Sequence, residues 1–217
     1  MLIFALPSAY DVIMRAILTA DIVNSSFLTT AFDKLIDDLK QFFDDEKTDF
    51  YNGDSFRVLI IKPETALLKC IKSRLLAITY AEKHTIDIRV SINIGHLRSD
   101  DIDLRSSMDE LLVASGRSFA KLQGTPRRLY INSGNAEKDF TYEIIAEYTD
   151  SLVAQITAKQ AKVIYQLLSG KSQVETAAFL GLSTATVSKQ VKAGRYEEIR
   201  SVLNKFETLT NQLQNGN

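Results

Sequence analysis

The chain of 217 residues has one cysteine, two histidines and no apolar run near the ~20 residues a membrane-spanning helix needs. A lone cysteine, Cys70, excludes a disulfide framework within the chain and fits a reducing compartment. It lies in an apolar helical pattern, where cysteine behaves as a small hydrophobe rather than a nucleophile. His84 and His96 read as surface or loop residues, not ligands. The apolar start (MLIFALP) has no basic residue before it and is shorter than the ~7–15 residues of a signal-peptide core. These absences predict a cytoplasmic protein with no membrane partner. Charge of one sign is also missing: the formal net charge of −1 excludes a chain that coats nucleic acid uniformly. There is no internal repeat and no low-complexity segment.

The composition present, 45% hydrophobic and 24% charged, is that of an ordinary globular chain with a full core. The charge is unevenly spread. From Thr157 onward there are eight basic and four acidic residues, which leaves an acidic remainder. An acidic body with a basic tail suits a two-part protein whose tail meets phosphate.

Periodicity supplies the elements. Residues 1–14 read as an extension before a buried strand at 15–23 (RAILTADIV). A turn at Asn24-Ser25-Ser26 leads to a helix over 27–47, so the turn is expected to run into a helix N-terminus able to cradle an anion. Residues 49–62 hold two strands around Asn52-Gly53-Asp54, a strong hairpin signal because the tight turn needs positive φ. Pro63 opens a helix expected to reach about residue 84. Residues 87–97 alternate Ile88, Val90, Ile92 and Ile94, a half-buried strand. After a polar loop come a helix over 107–123, a short strand over 128–132 and a helix over 139–156. The last is expected to turn Phe140, Ile144, Ile145, Tyr148, Leu152 and Ile156 inward. The sum is an α+β sandwich over residues 15–138, with helices on one face of the sheet, a connecting helix over 139–156 and an all-α unit over 157–210. The polar residues 211–217 read as a frayed tail.

The tail carries the sharpest local signals. A helix over 159–168 ends at Ser169-Gly170. A second helix spans 173–180, Gly181 sits where a tight turn demands positive φ, and Ser183 caps a third helix over 184–193. Ala177 must be small where two helices cross, and Val187 plugs the small core with Leu180 and Leu182 beside it. This spacing resembles the helix-turn-helix of bacterial transcription regulators, and is similar to the sigma-factor type, with Gln160 and Ser172-Gln173 at matching places. The resemblance implies double-stranded DNA as partner, read by the third helix in the major groove. The residues so placed are Thr184, Ala185, Thr186, Ser188, Lys189 and Lys192. Hydroxyls can reach base edges or phosphates, and the lysines suit phosphates as point charges.

Three body segments fall into a further order: Asp21-Ile22-Val23-Asn24-Ser25-Ser26, then Gly53-Asp54-Ser55-Phe56, then Arg89-Val90-Ser91-Ile92-Asn93-Ile94-Gly95. Together they resemble class III nucleotide cyclases. The resemblance implies a ferredoxin-like sheet on which Asp21 and Asp54 face each other and hold Mg²⁺ or Mn²⁺, because hard cations take carboxylate oxygens. It also implies a nucleotide ligand near Asn24, Ser25 and Ser26, with Arg117 and Lys121 in place of the late-helix cation. With Ser115-Gly116-Arg117-Ser118-Phe119 and the terminal helices added, the chain resembles the SatD-like bacterial proteins over roughly residues 15–200. It departs from the cyclases at two points. Phe50 stands where they choose the base with Lys or Glu, and GRSFAKLQ (116–123) lacks their asparagine and arginine pair. Losing transition-state cations costs orders of magnitude in rate. Two classes therefore stand open: a DNA-binding regulator whose body senses a ligand or forms a homodimer, and a metal-dependent enzyme acting on nucleoside triphosphates.

Overall fold

The computed structural model describes residues 13–216, so the expected extension lies almost wholly outside the described residues. The chain forms a five-stranded mixed sheet from β1 (Ile13–Val23), β2 (Lys47–Tyr51), β3 (Ser55–Ile60), β4 (Asp87–Leu97) and β5 (Leu129–Asn132). The order across the sheet is β2-β3-β1-β4-β5, antiparallel except for the β4–β5 pair. The long apolar β1 is central, paired to β3 on one side and to β4 along its whole length. Asn52 and Gly53 both take positive φ, 51° and 84°, and close the β2–β3 hairpin as their residue types require.

Among the described residues the eight α-helices are α1 (Phe32–Phe42), α2 (Ala66–Ile78), α3 (Glu110–Ala120), α4 (Ala136–Val153), α5 (Ala158–Leu168), α6 (Gln173–Leu180), α7 (Thr184–Ala193) and α8 (Tyr196–Gln214). They do not all lie on one face of the sheet. Ala16, Leu18, Ala20 and Ile22 of β1 join the main core with α1, α2 and α4. Ile17 and Leu59 point the other way, into a smaller cluster with Leu111 and Leu112 of α3. The pleat explains the split: alternate β1 residues face opposite sides, the first set apolar throughout and the second holding Ile17 between polar residues.

The helix expected over 27–47 starts late. Two single turns of 3-10 helix, Ser25–Phe27 and Thr29–Ala31, precede α1. The helix expected to reach residue 84 ends at Ile78. At the far end α8 stays helical to Gln214, where fraying was expected; Thr210 is buried and shares a 3.0 Å hydrogen bond with the Tyr142 hydroxyl.

The inward face of α4 also differs from the expectation. Phe140, Ile144 and Tyr148 are exposed, whereas Tyr142, Ile145, Ala146, Thr149, Leu152 and Val153 are buried. The helix has two apolar stripes, and a polar anchor selects between them. Asp150 accepts from the buried Arg74 guanidinium of α2 at 2.6 Å and from the N–H groups of Arg128 and Leu129 at 2.8 and 3.0 Å.

No gap in the core marks the expected boundary at Thr157. Ala161 and Ile164 of α5 and Ile199, Val202 and Phe206 of α8 belong to the main core. The other side of α5, Val163 and Leu167, forms a second cluster with Ala177, Val187 and Val191 of α6 and α7. One helix thus mortars the tail to the body.

Candidate nucleic-acid interface and carboxylate site

Side-chain caps begin three of the four tail helices, α5, α6 and α7. The Thr157 and Ser172 hydroxyls cap α5 and α6, and Gln160 and Glu175 reach back to the cap N–H in reciprocal boxes. Ser183 caps α7 through the Thr186 N–H. Gly181 takes φ 64° between α6 and α7, the left-handed turn that favours glycine. Val187 is fully buried and Ala177 nearly so, but Leu182 is 40% exposed and does not join them. A second small residue, Gly194, was missed. A Cβ there would lie 2.5 Å from Ile164 Cδ1 and 3.1 Å from the Gln190 carbonyl oxygen, so any side chain at that point forces Ile164 to shift where α7 closes on α5. Its backbone φ is ordinary, so no turn signal marks it in the sequence.

The buried side of α7 fixes what the other side shows. Thr184, Ala185, Thr186, Ser188, Lys189 and Lys192 are all exposed. Thr186 is partly committed, its hydroxyl 2.8 Å from that of Ser183. The first turn of α7 has no acid, and neither Lys189 nor Lys192 pairs with a carboxylate among the described residues. A capped helix N-terminus with free ammonium groups behind it is an anion-attracting surface.

The second candidate lies on the α3 side of the sheet. That side is polar along three strands: Thr19 and Asp21 on β1, Ser55 and Arg57 on β3, Arg89, Ser91 and Asn93 on β4. Helix α3 covers its middle with matching groups. The Ser115 and Thr19 hydroxyls are 2.6 Å apart, and Ser118 donates to Asn93 Oδ1 at 2.7 Å. Asp21 lies beyond this cover, between Ser55 and Arg89 in register. The hairpin brings Asp54 beside it, with the Asp54 carbonyl accepting from the Ile22 N–H at 3.0 Å. Burial raises the Asp21 carboxyl above the usual range, and the Asp54 charge adds to this while Arg89 and Arg128 oppose it.

Arg89, whose Nη1 is 3.5 Å from Asp21 Oδ2, is a charged neighbour of the candidate site that the motifs did not assign. The signal was present in β4, where Arg89 takes the phase opposite to Ile88 and Val90. Asp21 Oδ1, Arg89 Nε and Arg57 Nε are buried without a hydrogen-bond partner. Three such atoms on one polar surface are unusual in a folded chain.

The nucleotide candidates are dispersed. Ser25 does reach the site, its hydroxyl donating to Asp54 Oδ2 at 2.8 Å. Asn24 instead donates to the Thr85 carbonyl at 2.7 Å, which pins the loop, and Ser26 is exposed in the short turn. The anion cradle is not formed by a helix, since α1 begins only at Phe32. Arg117 is exposed on α3, and Lys121 donates to the Tyr130 hydroxyl of β5 at 3.1 Å, two strands away from β1. No contact brings either to Asp21 or Asp54. For a divalent cation the donors are both carboxylates and the Ser25 hydroxyl. Oxygen chemistry and the unpartnered Asp21 Oδ1 fit such an ion, while Arg89 competes for the same carboxylate. Among the described residues no group of three or more His, Cys, Asp or Glu side chains is placed to hold a metal.

Elsewhere, the Cys70 thiol is fully buried and burial pushes it up to about 12, which suits packing and not chemistry. Among the described residues no helix is long and apolar enough to cross a membrane. No protein-family model matches the chain, and no curated protein matches it.

Proposed function

We propose that the chain is a DNA-binding transcription regulator, with α5, α6 and α7 as a helix-turn-helix of the sigma-factor type. The observation that carries this is α7: buried through Val187 and Val191, it leaves all six anticipated contact residues exposed. The body is a ferredoxin-like, cyclase-like domain of the SatD-like kind, and the β2-β3-β1-β4 order supports that reading. It works as a sensor or as the dimerising half of a homodimer, since paired half-sites are the usual target of such modules. The test is a mobility-shift titration over a salt series with the native chain and the Lys189→Ala, Lys192→Ala double variant. Each lost phosphate contact lowers the slope of log K against log salt by ~0.9, so the double variant is expected to lose up to ~1.8 and to weaken on all sequences alike. Unchanged binding by a folded double variant removes α7 from the groove.

A second reading, a nucleoside-triphosphate enzyme at Asp21 and Asp54, is favoured by one observation, the unpartnered Asp21 Oδ1 beside Asp54 and Ser25. There Asp21, Asp54 and Ser25 would hold Mg²⁺ or Mn²⁺, which supplies charge neutralisation for phosphate oxygens. Incubation with ATP or GTP and the metal, with products read by mass, tests it. The scattered Arg117 and Lys121 weigh toward binding without turnover.

A further inference from the structure

Helix α4 carries two apolar stripes, and only one is used in the core. On the other, Phe140, Ile144 and Tyr148 follow at every fourth position and are 68%, 52% and 40% exposed. Among the described residues no other helix exposes three large apolar side chains in line; on α6, Val174 and Phe179 are five residues apart and face different ways. With ~150–250 Å² for a full aromatic side chain, the stripe exposes roughly 300 Å². An apolar patch of that size on a soluble chain is often an interaction site. The rim decides what fits it. On the β5 side, the Arg127 guanidinium pairs with both Glu143 and Glu147. On the α8 side, the Tyr148 hydroxyl donates to Glu198 at 2.5 Å, and Glu198 also accepts from Arg195. The rim thus shows both signs in pairs and no block of one sign, so it selects neither an acidic nor a basic partner. A surface with both signs side by side can answer itself.

We propose that two copies of the chain pair through α4, antiparallel about a two-fold axis at Ile144. Ile144 meets its own symmetry mate on the axis, and Phe140 of each copy comes beside Tyr148 of the other. Like rims also meet in this arrangement, so Arg127 of one copy faces Glu143 of the second, and the ion pairs within each chain join into a network between them. Aromatic anchors ringed by paired charges are the usual anatomy of such an interface. A standard interface takes about 800 Å² from each partner, so the stripe is its dry centre and the rim supplies the larger share. Helix α4 is then the face of the homodimer proposed above, a step that rests on that reading. The same face reaches the tail. Arg195 lies in the turn between α7 and α8, in left-handed backbone at φ 54°, and its guanidinium is 6.0 Å from the centre of the Tyr148 ring. Pairing at α4 holds that corner and sets where the two α7 helices stand relative to each other.

The test is light scattering of the full chain, native and Ile144→Asp, over a dilution series from micromolar concentration. Ile144 is half exposed, so the variant is expected to keep its far-UV circular dichroism. Two aspartates on the axis are expected to raise the dimer Kd by roughly 100-fold or more, as for a central interface residue. Ile144→Cys gives a second readout that breaks nothing: under mild oxidation it is expected to form a disulfide-linked dimer. The native Cys70 is buried and stays silent, and Met108→Cys, at an exposed position outside α4, is expected not to cross-link. A native dimer that survives Ile144→Asp, or an Ile144→Cys chain that cross-links no faster than Met108→Cys, overturns this face and leaves the homodimer standing. A native chain that stays monomeric with and without DNA overturns the homodimer and the face together, whatever other occupant covers α4. Loss of the dimer in Ile144→Asp with unaltered DNA affinity keeps the face and overturns the pairing of two α7 helices on DNA.

Discussion

Replacing Arg74 by Met strikes a buried cation that ties three elements together, α2, β4 and α4. Its side chain is fully buried; Nε and Nη2 donate to Asp87 at 3.0 and 2.8 Å, and Nη1 donates to Asp150 at 2.6 Å. Burial works against the guanidinium charge, but Asp87 and Asp150 outweigh it, so Arg74 holds its proton more tightly than usual. Methionine fills similar volume, so the loss is electrostatic. It leaves Asp87, 5% exposed, and Asp150 facing each other without a countercharge. Removing one partner of a buried pair costs about 3–5 kcal/mol. For a chain of this size, at ~2–4 °C per kcal/mol, Tm falls by roughly 6–20 °C. The assay is urea unfolding by circular dichroism at 25 °C, with the m-value checked for constancy. Asp150→Ala should cost a comparable amount, because it also strips an acceptor from the Arg128 and Leu129 N–H groups. The double variant should lose clearly less than the two single losses combined. A loss under about 1 kcal/mol for Arg74→Met, at unchanged m, refutes the picture of a dry, charge-dependent joint.

Gly194→Ala forces a methyl against Ile164 and is expected to cost about 1–3 kcal/mol by the same assay; Ile164→Val, which removes the clashing carbon, should recover part of it. Asp21 has a raised folded pKa, so its protonated form is the favoured native one; the stability this gives is present below the unfolded pKa of about 3.9 and is lost as pH rises through the folded value. Asp21→Asn should therefore raise Tm at pH 7 and leave it unchanged near pH 3.5; a lower Tm at pH 7 would mean that the Arg89 pair outweighs the burial cost. If Asp21 and Asp54 hold a divalent cation, millimolar Mg²⁺ or Mn²⁺ raises the native Tm and not that of Asp21→Asn, and an equal rise in both excludes Asp21 as a ligand. Light scattering at micromolar concentration, with and without DNA, is expected to give a dimer, and a monomer in both conditions counts against the homodimer.

What the sequence determined by itself is whatever neighbouring residues settle among themselves. The tail is the clearest instance: Thr157, Ser172 and Ser183 cap their own helices, and Gly181 turns the chain where only a left-handed residue fits. The same holds for Asn52-Gly53 in the hairpin and for the alternation of β4. These signals act over two to four residues, so no tertiary contact is needed to read them. Asp21, Asp54 and Ser25 lie together because β1 and the hairpin are sheet neighbours. Tertiary structure alone decided the rest. The α4 sequence offers two apolar stripes, and the buried one is the stripe that brings Asp150 to Arg74, 76 residues away, and to the Arg128 and Leu129 N–H groups. The placing of α3 on the opposite face, the dispersal of Arg117 and Lys121, and the pairing of Arg89 with Asp21 depend on strand order and register. That Asp21 Oδ1 and Arg89 Nε lack partners becomes visible only when burial shows which groups have found them and which have not.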